Sequence, residues 1–165
     1  MSEEAAVLGR VLVVDDDRGL LSIIKGILSK DYDVTLASSG PEALEALADG
    51  GADLVLLDIM MPGMDGLEVC RKIKADAATA DLPVIFLTGM EDEDAEEDAL
   101  DAGAADFISK PIRPRILESR VRMQMQNYLY LQFLEKMLSE KSTTVDRLKA
   151  ETAQLLKSIG LTASR

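Results

Sequence analysis

The sequence predicts an α/β protein: a five-stranded parallel sheet, doubly wound in the order 2-1-3-4-5, followed by a long C-terminal helix. Three observations carry this. Short, wholly apolar runs such as Leu54 to Leu57 end abruptly in a polar residue, here Asp58, as buried strands of a parallel sheet do. Segments with apolar residues at helical spacing separate these runs, and right-handed crossovers then place a helix between parallel neighbours. After Pro114 the chain carries neither Gly nor Pro until Gly160, and Ile116, Leu117 and Val121 are expected to pack the start of that helix on the sheet.

Each element follows from local pattern. Arg10 to Val14 is β-branched and apolar and runs into Asp15, Asp16 and Asp17. Leu20, Leu21, Ile23, Ile24, Ile27 and Leu28 recur as a helical stripe expected to be buried. Asp17 before that stripe reads as its N-cap. Tyr32 to Ala37 alternates as a second strand. Ser39-Gly40-Pro41-Glu42 opens a helix with Pro at an early position, and Gly50-Gly51 closes it. The third strand, Leu54 to Leu57, reaches Asp58 and a Pro62-Gly63 turn. Asp65 or Gly66 opens the third helix, with Leu67, Cys70 and Ile73 turned inward. Val84 to Leu87 is the fourth strand and ends at Thr88. Glu91 to Ala102 is an acidic helix closed by Gly103, and eight of the residues from Glu91 to Asp101 are acidic. A solvated face is the ordinary explanation of such a run. Phe107 and Ile108 form a short last strand that ends at Ser109 and Lys110, before Pro111.

In the order 2-1-3-4-5 the switch point lies between the first and third strands. Asp15 and Asp16 then end beside Asp58, and Thr88 and Lys110 end on the same edge. Carboxylates about 4 Å apart repel by roughly 4 kcal/mol per pair at an effective dielectric near 20. Such a group holds a proton or binds a cation. An all-oxygen set suits Mg²⁺, with Mn²⁺ as the alternative. The Thr88 hydroxyl and the Lys110 ammonium suit an anion. A metal, a fixed cation and a hydroxyl around one carboxylate make a phosphoryl-transfer site with Asp58 as nucleophile.

Composition excludes other classes. The 165 residues are 47% hydrophobic with net charge −12, a globular composition that argues against general nucleic-acid binding. Charge is uneven: residues 1–112 hold 25 acidic and 8 basic residues, and 113–165 hold 5 and 10. Without histidine, the chain has no His-dependent catalysis, His-ligated metal or phosphohistidine of its own. Cys70, the single cysteine, allows no internal disulfide and reads as a buried helix residue. No run suits a signal peptide or a membrane span, so a cytoplasmic location is expected.

The acidic pair Asp15-Asp16, the Asp58 segment with Met-Pro-Gly-Met-Asp-Gly, Thr88-Gly89, and Phe107 with Lys110-Pro111 resemble the receiver domains of two-component response regulators. The resemblance covers residues of about 10 to 124. It implies that Asp58 takes a phosphoryl group from a partner histidine kinase or phosphotransfer protein. Mg²⁺ would be held by Asp16, Asp58 and the backbone carbonyl of Met60, with Asp15 acting mainly through water. Lys110 would pair with the phosphoryl group, and Lys110-Pro111 would be a cis peptide. Thr88 and Phe107 would form a switch. Phosphorylation adds about two negative charges and three acceptors, which Thr88 satisfies by moving, leaving space for the ring. Judged without the family, Phe107 serves equally as core. The Met60 side chain offers no hydrogen bond to an attacking water, so slow hydrolysis of the phosphoryl-aspartate is expected.

Residues 1–124 are thus expected to form the receiver and 125–165 a helical extension. With Leu131 at heptad position a, the a and d positions are Leu131, Leu134, Leu138, Lys141, Val145, Leu148, Thr152, Leu155, Ile159 and Thr162. Seven of these ten are apolar, which favours a coiled coil. A parallel homodimer is the preferred expectation, against a helix folded back on its own receiver. Ser142-Thr143-Thr144 are poor helix formers, and a break there is the alternative. Acidic and basic residues on the fourth and fifth helices would pair in trans on a two-fold dimer's face.

Three functions compete on the sequence. The first is a phosphorylation-activated regulator that catalyses its own phosphorylation, turns over no external substrate, and passes the signal to a dimerising helix. The second is a constitutive coiled-coil scaffold with an incidental acidic pocket; Asp58→Asn separates the two. The third, a Mg²⁺-dependent phosphatase, needs an acidic residue two positions after the nucleophile, where this chain has Met60. In the family such a helix often leads to a cyclase, a phosphodiesterase or another enzyme. The chain is expected to be a piece of a longer protein or a stand-alone regulator.

Overall fold

A computed structural model describes residues 7–89 and 93–158. The chain divides into two compact units, Met1–Tyr128 and Leu129–Arg165.

The first unit holds the sheet. Its strands are β1 (Arg10–Val14), β2 (Asp33–Ala37), β3 (Leu54–Asp58), β4 (Val84–Thr88) and β5 (Asp106–Ser109). All pair in parallel in the order β2-β1-β3-β4-β5. The helices between them are α1 (Arg18–Leu28), α2 (Gly40–Asp49), α3 (Gly66–Ala75) and α4 (Glu93–Asp101). Residues 91 and 92, where the acidic helix was expected to begin, lie outside the described residues.

Burial explains why the strands read as unbroken apolar runs. Each central strand is covered on both faces, and successive side chains enter different cores. Leu12, Val14, Val55, Leu57, Val84 and Phe86 face α2, α3 and α4 with Ala43, Leu47, Val69, Cys70 and Ile73. Val11, Val13, Leu54, Leu56, Ile85 and Leu87 face the other way, against Leu21, Ile24 and Leu28 of α1 and Leu117, Val121 and Met125. Asp17 caps α1, its carboxylate accepting from the N–H groups of Gly19 and Leu20. Ser39 and Asp65 cap α2 and α3 in the same way.

Two expected core residues lie at the surface. Ile23 is 59% exposed and Ile116 is 47% exposed. The buried line of α1 runs Leu21, Ile24, Leu28, and Ile23 falls about 100° from Ile24. Ile116 precedes the line Leu117, Val121, Met125 by one residue and points away for the same reason.

The last helix, α5 (Pro114–Ser158), has residues in both units. It runs through Ser142-Thr143-Thr144 without a break. The Thr143 and Thr144 hydroxyls donate to the carbonyls of Ser139 and Glu140, both at 2.9 Å. This satisfies the hydroxyls without taking a backbone group from the helix. In the second unit every side chain described, 129–154, is exposed. That set includes Leu131, Leu134, Leu138, Val145 and Leu148 of the expected seam. Ile159 and Thr162 lie outside the described residues.

Candidate functional site

Four strands deliver the site from their C-terminal ends. Asp15 and Asp16 follow Val14, Asp58 is the last residue of β3, Thr88 is the last of β4, and Lys110 follows Ser109. The register pairs Asp58 with Leu87 and Thr88 with Ser109, so these ends lie level.

The first unit buries few polar side chains. Among the described residues they are Asp15 at 1% exposure, Asp58 at 4% and Thr88 at 5%, and all three belong to this edge. Lys110 joins the two carboxylates. Its Nζ donates to Asp15 Oδ2 at 2.8 Å and to Asp58 Oδ1 at 3.1 Å. Asp15 Oδ1 accepts from the Asp17 N–H at 2.9 Å. Asp16 stands at the mouth, exposed to solvent. One carboxylate oxygen from each of Asp15, Asp16 and Asp58 lies within 4.8 Å of the others. The three oxygens suit a hard divalent cation, whose charge would offset their repulsion.

Electrostatics distinguish Asp58. Burial, reinforced by the Asp15 charge, pushes its carboxyl up to about 6 against the opposing pull of Lys110. Burial works against the charge of Lys110, but its bonds to Asp15 and Asp58 outweigh this, and its pKa is raised. The ammonium therefore stays charged across the neutral range, a fixed cation beside a carboxylate that protonates readily.

The segment after Asp58 is fixed by a close approach. The Gly66 N–H donates to the Ile59 carbonyl at 2.9 Å. A Cβ on Gly66 would overlap the Asp58 carbonyl and stand 2.8 Å from Ile59 Cα. Gly66 therefore seats the start of α3 directly on the end of β3. Sequence pattern marked Gly66 only as a helix opener; its second role depends on the path of residues 59–65. Met60 is 76% exposed, beside Asp58 in the chain.

The remaining residues are placed but not all engaged. The Thr88 hydroxyl donates to the Gly89 carbonyl at 2.9 Å rather than to a carboxylate. Phe107 is half-buried against the core that contains Phe86. The Lys110-Pro111 peptide is cis, and the Lys110 N–H donates to the Thr88 carbonyl at 2.6 Å. Cys70 is buried, and its thiol donates to the Ala102 carbonyl at 3.3 Å, remote in role from the site.

An acidic pocket at a parallel sheet's switch point, bridged by one lysine, defines a receiver. Residues 11–122 match the response regulator receiver domain, and the chain belongs to that family. It is the receiver domain of a two-component response regulator, a class that works with a histidine kinase or phosphotransfer partner. Response regulator PleD of Caulobacter vibrioides is 42% identical over 114 residues, 68% of this chain and 25% of PleD. A probable cyclic di-GMP phosphodiesterase of Vibrio cholerae is 37% identical over 169 residues, 98% of this chain and 38% of that protein. Among solved structures, a response regulator receiver domain protein of Methanospirillum hungatei superposes with a TM-score of 0.68 at 30% identity, covering 73% of this chain and 96% of that one. The chain thus spans about a quarter to two-fifths of these two curated relatives' length. No described helix is long and apolar enough to cross a membrane.

Proposed function

We propose that this chain is a cytoplasmic, phosphorylation-activated switch in which Asp58 accepts a phosphoryl group from a partner histidine kinase or phosphotransfer protein. The donor's N–P bond breaks as an Asp58 oxygen forms an O–P bond, and the donor imidazole leaves. The supporting observation is the Lys110 bridge between Asp15 and Asp58 in a pocket that gathers the buried polar side chains described in the first unit. Asp15, Asp16 and Asp58, with the Met60 carbonyl, would hold Mg²⁺. When bound, the ion supplies charge neutralisation of the phosphoryl oxygens. Lys110 releases Asp58 and pairs with the arriving phosphoryl group. Thr88 exchanges the Gly89 carbonyl for a phosphoryl oxygen, and Phe107 turns into the space it leaves. That change alters the face made by α4, β5 and α5, and the second unit pairs two copies of the chain. Asp58 acts once per transfer, and no external substrate turns over in this chain.

The test is mass by light scattering with and without Mg²⁺ and beryllofluoride, on wild type and Asp58→Asn. The expected result is a dimer that tightens with the mimic in wild type alone. A dimer indifferent to both the mimic and Asp58→Asn would favour the scaffold reading instead. Separately, Met60 leaves the attacking water without a side-chain partner. The phosphoryl group should therefore persist for minutes or longer on the purified protein, and decay within seconds would remove that role.

One observation favours a specific output. The match to the probable cyclic di-GMP phosphodiesterase runs through both units, whereas the PleD match covers 114 residues. The helical unit therefore fits a transmitter to cyclic dinucleotide hydrolysis. Phosphorylation-dependent cyclic di-GMP hydrolysis by a phosphodiesterase domain joined to or mixed with this chain tests this reading.

A further inference from the structure

The second unit presents an exposed apolar stripe. Leu131, Leu138, Val145 and Leu148 are 57%, 67%, 48% and 56% exposed. Val145, Leu148, Lys149 and Thr152 line a shallow recess. They stand at i, i+3, i+4 and i+7, the four-residue hole that receives one apolar knob from a facing helix. The polar groups around this stripe decide which way that helix runs.

We propose that the stripe is the interface with a second copy of this chain and that the two helices run antiparallel, centred between Ser142 and Thr144. The proposal rests on the dimer reading above and adds its orientation. In a parallel pair, like positions face each other, and Lys141 at d would meet the partner's Lys141 in the seam. No e or g position would find an opposite charge: Thr144 would flank the partner's Lys149, and Tyr130 the partner's Glu135. In the antiparallel pair, a faces d. Lys141 then lies against the partner's Val145, Leu138 against the partner's Leu148, and Leu134 against the partner's Thr152. Glu135 and the partner's Lys149, both at e, fall between the same two layers, and the two-fold axis makes this pair twice. Glu135 and Lys149 form no ion pair among the described residues, whereas Arg147 and Glu151 are already joined along the helix at 2.9 Å. At the centre, Ser142 and Thr144 face their own copies, and small hydroxyl side chains suit that close crossing. The parallel expectation rested on the apolar heptad positions and on acidic and basic residues of the fourth and fifth helices, without the polar groups that flank the seam. The charges and the lone seam lysine favour the opposite direction.

Single cysteine variants Leu138→Cys and Leu148→Cys of the full chain test this, with wild type (Cys70 buried) as the control and an added oxidant. The expected result is a disulfide between copies when the two variants are mixed, and little when either is oxidised alone. Efficient self-coupling of each variant alone would overturn the orientation while keeping the dimer. A monomer by light scattering would overturn the dimer reading and this one together. A dimer that couples in none of these samples would place the interface elsewhere and overturn the proposal. Charge reversal is a second readout. Glu135→Lys should raise the dimer Kd roughly three- to tenfold, and Glu135→Lys with Lys149→Glu should restore it, as expected for two exposed pairs lost and regained. Equal affinities for wild type and both variants would count against the antiparallel pairing.

Discussion

Val55 and Leu138 are both aliphatic, yet Val55 is 0% exposed and Leu138 is 67% exposed. The contrast holds for the units that contain them. The receiver closes its sheet on both faces and leaves its buried charge at one edge. Among its described residues, the helical unit has a stripe of equally apolar side chains with no second layer of its own. A domain needs two packed layers to bury such a stripe, and an amphipathic helix alone draws little stability from propensity. The receiver is therefore specified from within, whereas the helix is specified by what it meets.

The widest separation between the units should come from core truncation. Phe86 lies at the centre of β4 and is fully buried. Phe86→Ala should cost about 3–5 kcal/mol by lost transfer energy and a cavity. Leu138→Ala should leave the receiver's unfolding unchanged and act only on association. Chemical denaturation followed at dilute and concentrated protein separates the two. A Leu138→Ala loss as large at dilute protein would break the comparison.

Gly66→Ala comes next. One added methyl must move backbone, because its neighbours are the Asp58 carbonyl and Ile59 Cα rather than flexible side-chain ends. A loss of about 2–3 kcal/mol is expected, within the range of overpacking. Because the displaced atoms adjoin Asp58, Mg²⁺ binding should weaken too, which titration calorimetry would measure. A stable variant with unchanged Mg²⁺ affinity would show that this segment yields freely.

The receiver's buried charge gives a smaller effect that depends on pH. Asp58 titrates near 6 in the folded, metal-free protein, against about 3.9 for an unfolded aspartate. A raised carboxyl pKa favours folding at low pH, and that contribution disappears as pH rises from about 4 through 6. Asparagine carries no such cost. Asp58→Asn should therefore be more stable than metal-free wild type at pH 8, by on the order of 1–3 kcal/mol, and the gap should close as pH falls toward 4. Thermal melts across pH would show this, and saturating Mg²⁺ should raise wild type more than the variant. A gap that widens toward low pH would mean that burial does not govern Asp58.

The same contrast explains what could be read from sequence. The central strands were legible because burial on both faces makes them unbroken apolar runs, and Asp15, Asp58 and Thr88 were legible because each ends such a run, with Asp16 next to Asp15 and Lys110 just past the short β5. Ile23 and Ile116 were misplaced because hydrophobicity alone does not fix the phase of a helical stripe to within one residue. The closeness of Gly66 to Asp58 depends on how residues 59–65 fold back, which no local pattern states. The direction in which Thr88 points is set by the Gly89 carbonyl, a local bond that strand pattern does not state. The three hydroxyl residues at 142–144 suggested a break because propensity counts only their cost, whereas bonds from two of them to Ser139 and Glu140 satisfy them inside the helix.

The smallest effect belongs to the helical unit's own surface. Arg147 Nε and Glu151 Oε1 are joined at 2.9 Å, one turn apart, with side chains 80% and 54% exposed. Arg147→Ala should cost only about 0.3–0.5 kcal/mol of helicity and leave the proposed association and the receiver's unfolding as they were. Circular dichroism and light scattering together check this. Arg147 sits at position c and Glu151 at g, so the pair stays mostly outside the proposed seam. A large loss of association in this variant would mean that the contact surface reaches well beyond the stripe, and that what completes the helix is wider than a single second helix.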